Sequence, residues 1–303
     1  MTIITSPALS SPGGYPHAVF ESLFVLAQTH GERRRLADDS VVLSESGRDP
    51  RFSRHQNCRA EHLHTCAVMK LESRALKRLP VFAALTPEQR REIASAALLR
   101  NLAKGECVFR EAETVSNAFV ILSGHVKLSR GGWHRDSVTL SIAHPGEPFG
   151  VTGDLSGHQQ TKTAVALCNC RLAIWPIQNW NEFLRAMPGL TVGLLQDVER
   201  RLAITEDRLA EIASLDVSRR IAHLVLRLID QAGRQEKDGV WVDFPVTRQE
   251  IAALTGTTLH SASRILTQWE RERIVGGGRR ELMVRNIPAL LSLATGAAAH
   301  KVS

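Results

Sequence analysis

The chain has 303 residues, 43% hydrophobic and 23% charged, a balance that suits about two domains with buried cores. Thirty-eight Lys and Arg against 31 Asp and Glu give +7 and a pI near 9.5, a mild basic bias that favours a polyanionic partner. Five cysteines, an odd number in a chain of this length, exclude a disulfide framework and fit a reducing compartment. The most apolar early stretch, Val19 to Ala27, carries Glu21 and falls far short of the roughly 20 residues a membrane span needs. It also lacks a basic lead and a small-residue cleavage site, so a cytoplasmic protein without a membrane partner is expected. Aromatic residues make up only 5% with a single tyrosine, which argues against a module that stacks single-stranded bases.

Residues 1–50 are rich in Ser, Pro, Gly and Arg without sustained periodicity, and read as a disordered tail. Residues 51–75 hold the first cysteines and a cluster of histidines: His55, Cys58, His62 and Cys66. At Thr86-Pro87-Glu88-Gln89 a helix begins: Thr caps, Pro takes the first helical position and an acid follows in the first turn. From Leu102 to Trp175 short apolar runs alternate with glycines, as in Ala118–Leu122 and Val126–Leu128 joined by Ser123-Gly124. Short strands with regular turn signals predict an antiparallel sandwich or roll over 76–188, with Cys107, Cys168 and Cys170 as core thiols on its strands.

An amphipathic helix is predicted over 189–215. Leu195, Val198, Leu202, Thr205, Leu209 and Ile212 recur at heptad spacing and are flanked by charges, the pattern of a dimer seam. The basic segment 216–290 follows, and 291–303 reads as a tail. Within the basic segment Thr247 and Glu250 form a capping box for a first helix carrying Ile251, Ala252 and Leu254. Gly256 stands where a left-handed turn is needed, and Thr257 or Thr258 caps a second helix. Ala262, Ile265, Leu266 and Trp269 form that helix's inward stripe, leaving His260, Ser263, Arg264 and Gln268 outward. Two short helices, a tight turn and a free second-helix face define a helix-turn-helix for double-stranded DNA. Arg264 near the front of the second helix can donate twice to guanine O6 and N7. Arg248, Gln249, Thr257 and Thr258 stand where phosphates would be held, and Val275–Arg285 reads as a wing carrying Arg279 and Arg280.

The order of roll, long helix and winged helix-turn-helix resembles the Crp/Fnr family of bacterial transcription regulators. The resemblance is carried by Lys104-Gly105-Glu106, Phe119–Val126, Pro145–Gly150, Thr247–Ile251 and Ser263–Leu266. It implies an α+β chain with a cyclic-nucleotide-binding-like roll, a homodimer on a palindromic site, and contact with RNA polymerase. By that resemblance Arg264 matches the guanine-reading arginine, and Ser263 matches the serine of the Fnr branch, implying a TTGA-like half-site. His260 stands where the family has glutamate. Glutamate accepts from cytosine N4, whereas histidine donates more naturally to a purine, so one base preference is expected to change.

For cyclic AMP the resemblance would require a glutamate after Gly150 and an Arg-Ser pair. Val151 and the run His158-Gln-Gln-Thr-Lys162 stand there instead, which argues against that ligand, although Lys162 could reach an anion. The Fnr branch holds an iron-sulfur cluster on four cysteines. Here Cys58 and Cys66 match two of them, His55 takes the place of a third, and the roll cysteine's place is near Ala173, with Cys168 and Cys170 displaced from it. As one helix, His55, Cys58, His62 and Cys66 share a face but only adjacent pairs could meet at one ion. As a bent loop they could hold an iron-sulfur cluster or zinc, and a histidine could hold haem. Sensing of oxygen, nitric oxide or redox state follows from those readings. The alternatives are a cofactor-free regulator set by its abundance or by thiol oxidation, and a thiol oxidoreductase at Cys168-x-Cys170. No helix start or base stands beside those two thiols to activate them.

Overall fold

The computed structural model describes residues 71–131, 137–151, 159–278 and 280–296, all within one compact unit that spans Asn57–Ser303. The expected tail and the His55–Cys66 segment lie outside the described residues.

Helix α1 (Ser73–Lys77) buries Leu76, so the roll's packing begins before residue 76. A 3-10 turn, Pro80–Phe82, leads to α2 (Pro87–Ser95). The α2 capping box forms: Thr86 Oγ1 accepts from Gln89 N at 3.2 Å and Gln89 Oε1 accepts from Thr86 N at 3.0 Å.

Eight strands follow: β1 (Leu98–Leu102), β2 (Cys107–Phe109), β3 (Asn117–Ser123), β4 (Val126–Arg130), β5 (Val138–Ala143), β6 (Pro148–Phe149), β7 (Thr163–Ala166) and β8 (Cys170–Pro176). They form two antiparallel sheets ordered β1-β8-β3-β6 and β2-β7-β4-β5. The adjacent runs β3 and β4 therefore belong to different sheets, and Ser123-Gly124 carries the chain from one to the other. Between the sheets Phe109, Phe119 and Phe149 form a three-ring cluster with centroids 5.3–5.9 Å apart. The opposite face of β3, with Ala118 and Val120, packs against Phe82, Trp175 and Trp180. A strand covered on both faces needs an unbroken apolar run, and Ala118–Leu122 supplies it. Cys107 and Cys170 are buried in β2 and β8 as expected. Cys168 differs: it lies half-buried in the bend between β7 and β8, packed against cores on both sides.

Helix α3 (Ile177–Ala186) leads into α4 (Pro188–Ser214), the expected long helix. Half-buried Arg227 pairs with buried Glu211, Nη2–Oε2 at 3.0 Å, and ties α4 to α5 (Val217–Ala232). Strands β9 (Gly233–Glu236) and β10 (Gly239–Val242) precede α6 (Arg248–Leu254) and α7 (Leu259–Arg271). Short strands β11 (Val275–Gly276) and β12 (Met283–Val284) complete a sheet ordered β11-β12-β10-β9. The chain continues past 290 as α8 (Ile287–Thr295), capped by Asn286 and packed on α5 through buried Leu290 and Ala294. The boundary at 290 therefore cuts a helix whose apolar face completes this core.

Candidate nucleic-acid interface

Local chemistry builds the two-helix unit. Thr247 Oγ1 accepts from Glu250 N at 3.1 Å, and Glu250 Oε2 accepts from Thr247 N at 2.9 Å, closing the second capping box. Gly256 has φ +62°, the left-handed conformation that a Cβ disfavours, and it turns the chain toward α7. Thr258, not Thr257, caps α7, its Oγ1 accepting from Ser261 N at 3.1 Å.

Ala262, Ile265, Leu266 and Trp269 are all buried against α5 and α6, which fixes the rotation of α7. The opposite face is open. His260, Ser263, Arg264, Thr267, Gln268 and Arg271 line one shallow groove along it, with His260, Arg264 and Gln268 exposed. The structure thus brings His260, Ser263 and Arg264 together, with Thr258 and half-buried Thr257 at the helix front. Gln249 is exposed on α6, and Arg280 is exposed on the wing, while Arg279 lies outside the described residues.

Arg248 is placed differently from a free phosphate clamp. Its guanidinium donates to both carboxylate oxygens of Glu270 at 2.8 and 2.9 Å and to Thr267 Oγ1 at 2.9 Å. It staples α6 to α7, with its charge opposed by Glu270. Sequence reasoning missed Leu259, 51% exposed at the first position of α7, an apolar group with no core to enter. Arg271, seven residues beyond Arg264 and on the same face, was findable from helical spacing.

The predicted seam on α4 is a row of exposed apolar side chains: Leu195 and Leu209 at 62%, with Val198, Leu202 and Ile212 near half. Val192, 49% exposed three residues before Leu195, extends it by one step. The Thr205 hydroxyl donates to Arg201 O at 2.8 Å, so this polar member has its hydrogen bond within its own helix.

In the roll Gly150 has φ +78°, and a Cβ there would lie 2.7 Å from Phe119 Cδ2, so the close approach requires glycine. Val151 follows it, buried, and Gln160 Nε2 donates to Gly150 O at 3.0 Å. Burial, then Arg201 and Arg130, hold the Lys162 ammonium below its ordinary range. Directly after Gly150 the apolar Val151 offers no carboxylate to a ribose, so this position does not fit cyclic AMP. Ala173, where the resemblance seeks a fourth thiol, is fully buried in β8. Burial, then Cys168, pushes the nearby Cys170 thiol up to about 11, which leaves it a poor thiolate. Among the described residues no three His, Cys, Asp or Glu groups converge as metal ligands. Cys58 and Cys66 lie outside those residues.

Residues 219–293 match the Crp-like helix-turn-helix domain, and 99–187 match the cyclic nucleotide-binding domain. The chain belongs to the Crp/Fnr superfamily. A global nitrogen regulator of Synechococcus elongatus is 25% identical over 205 residues, covering 66% of this chain and 92% of its own. The cyclic AMP receptor protein of Thermus thermophilus is 27% identical over 226 residues, covering 74% of this chain and 100% of its own. The solved structure of FixK2 from Bradyrhizobium japonicum shares the fold, with a TM-score of 0.56 at 20% identity over 65% of this chain and 96% of that one. Members of this superfamily regulate transcription and do not catalyse a reaction, and this chain is a helix-turn-helix DNA-binding regulator of that kind. No described helix is long and apolar enough to cross a membrane.

Proposed function

We propose that this Crp/Fnr-superfamily regulator acts as a homodimer on a palindromic duplex with TTGA-like half-sites. Arg264 donates to guanine O6 and N7, Ser263 supports it, and His260 donates to a neighbouring purine. Thr257, Thr258 and Gln249 hold phosphates, while Arg248 acts by fixing α6 against α7. The observation that carries this reading is the open α7 groove, on a chain whose long helix presents an uncovered heptad seam. Two copies joined along Leu195, Val198, Leu202, Leu209 and Ile212 would present two recognition helices to two half-sites. RNA polymerase is the further partner.

The input read by the dimer is oxygen, nitric oxide or redox state at the Cys58–Cys66 segment with His55 and His62, whose donors suit an iron-sulfur cluster, zinc or haem. A second reading is a cofactor-free regulator set by abundance or thiol oxidation, favoured by the buried methyl of Ala173 where a cluster ligand would be needed. Metal, haem and sulfide content of protein purified without oxygen separates the two. Selection from random duplexes tests the DNA reading: the account expects a twofold-symmetric site with one guanine kept per half-site and a changed preference opposite His260.

A further inference from the structure

The roll and the winged helix-turn-helix share one contact that the regulator reading leaves unused. Ile142 and Leu167 of the roll lie in one apolar cluster with Phe244, Val246 and Ile251 of the DNA-binding segment. Two imidazoles lie against its Phe244. His125, in the turn between β3 and β4, is 6% exposed, and its ring lies 4.2 Å from that of Phe244, centroid to centroid. His144, just after β5, meets His125 edge-on at 5.1 Å and Phe244 at 6.2 Å. Neither nitrogen of His125 has a hydrogen-bond partner, nor does Nδ1 of His144. Beside them Lys127 Nζ on β4 lies 3.2 Å from Glu250 Oε1 on α6, and that carboxylate also caps α6.

We propose that His125 and His144 form a proton-sensitive latch that holds the winged helix-turn-helix against the roll, docked while both imidazoles are neutral and released when they take up protons. An imidazolium at His125 would put a charge on an apolar surface with no paired acceptor for either nitrogen, and one at His144 would leave its Nδ1 without one. Charged groups reach the pair from every side. Arg200, Arg208 and Arg201 of α4 oppose protonation of His144, while a hydrogen bond with Gln231 of α5 favours it. Asp243 and Glu147 favour protonation of His125, and His144 opposes it. Burial is the largest influence on both, and it brings each from the ordinary value near 6.5 down to about 4.

Because the docked form binds protons more weakly than the released form, docking is at full strength above pH 6.5 and weakens as pH falls toward 4. One pH unit below the ordinary value, each imidazole shifts the equilibrium toward release by about tenfold. The recognition groove stays open in the docked form, with His260 and Arg264 exposed. Docking therefore fixes the orientation of α7 relative to α4 and does not mask it.

The test needs no DNA, so its outcome is separate from the regulator reading. Amide hydrogen exchange of the full-length protein would be followed at pH 7.5 and 5.5 with intrinsic rates divided out. Protection in α6 and β5 is expected to fall by roughly tenfold per imidazole, while β3 and β8 keep theirs. In the His125→Phe/His144→Gln protein this loss should vanish. The same loss in that variant, or none in the wild type, would overturn the latch. Should the double variant fail to fold, NMR titration of the wild-type imidazoles decides. Two depressed titrations support the latch, and titration of both near the ordinary value overturns it.

Discussion

Leu202→Asp places a carboxylate at the centre of the α4 seam. The Leu202 side chain is 56% exposed in the single chain, so a partner helix would cover roughly half of its surface. Full burial of a leucine contributes about 1.5–3 kcal/mol, so covering that half contributes about 0.8–1.7 kcal/mol per copy. At a twofold seam the substitution acts twice and adds a pair of facing like charges. The combined cost of about 2–5 kcal/mol would raise the dimer dissociation constant by roughly 30- to 4,000-fold. Sedimentation velocity across a concentration series reads that constant, and circular dichroism confirms that the chain stays folded. Thr205→Leu is the counter-test, because it extends the apolar row and should tighten the dimer. A Leu202→Asp protein as dimeric as the wild type at the same concentration would refute the seam.

Loss of the Thr247 cap in Thr247→Ala should lower the free energy of unfolding by about 0.5–2 kcal/mol, measured by denaturant melts. Arg248→Ala should weaken binding to all duplexes alike and lower the melting temperature, because its guanidinium joins α6 to α7 through Glu270 and Thr267. Base-selective loss would instead assign Arg248 to readout. Leu259, exposed at the front of α7, should touch a thymine methyl. Replacing that thymine by deoxyuridine should weaken the wild type and leave Leu259→Ala unaffected, as read by competition binding.

The parts legible in the sequence are those whose cause is local. Thr86–Gln89 and Thr247–Glu250 each carry their capping partner three residues away, and both boxes form. The α7 stripe and the α4 seam follow from helical spacing alone, and the first is buried while the second is open. What escaped depends on distant partners. Arg248 meets Glu270 22 residues on, so a guanidinium that reads as a phosphate ligand becomes a staple. Cys168 leaves the strand pattern because the bend that carries it also packs against the DNA-binding segment. His125, His144 and Phe244 are far apart in the chain and meet only where two cores join. No periodicity relates them. The split of β3 and β4 between two sheets is likewise a property of the roll's pairing and not of either strand.

In the proposed complex Arg264 reads a base through the major groove, once per half-site. Titrating the selected duplex with wild type and Arg264→Ala over a salt series tests it most directly. The account predicts that the variant loses about 1–3 kcal/mol per half-site and its guanine preference, while the steep weakening with salt is retained. A wild-type protein that ignores double-stranded DNA at low ionic strength, or a variant that keeps the guanine preference, would contradict it.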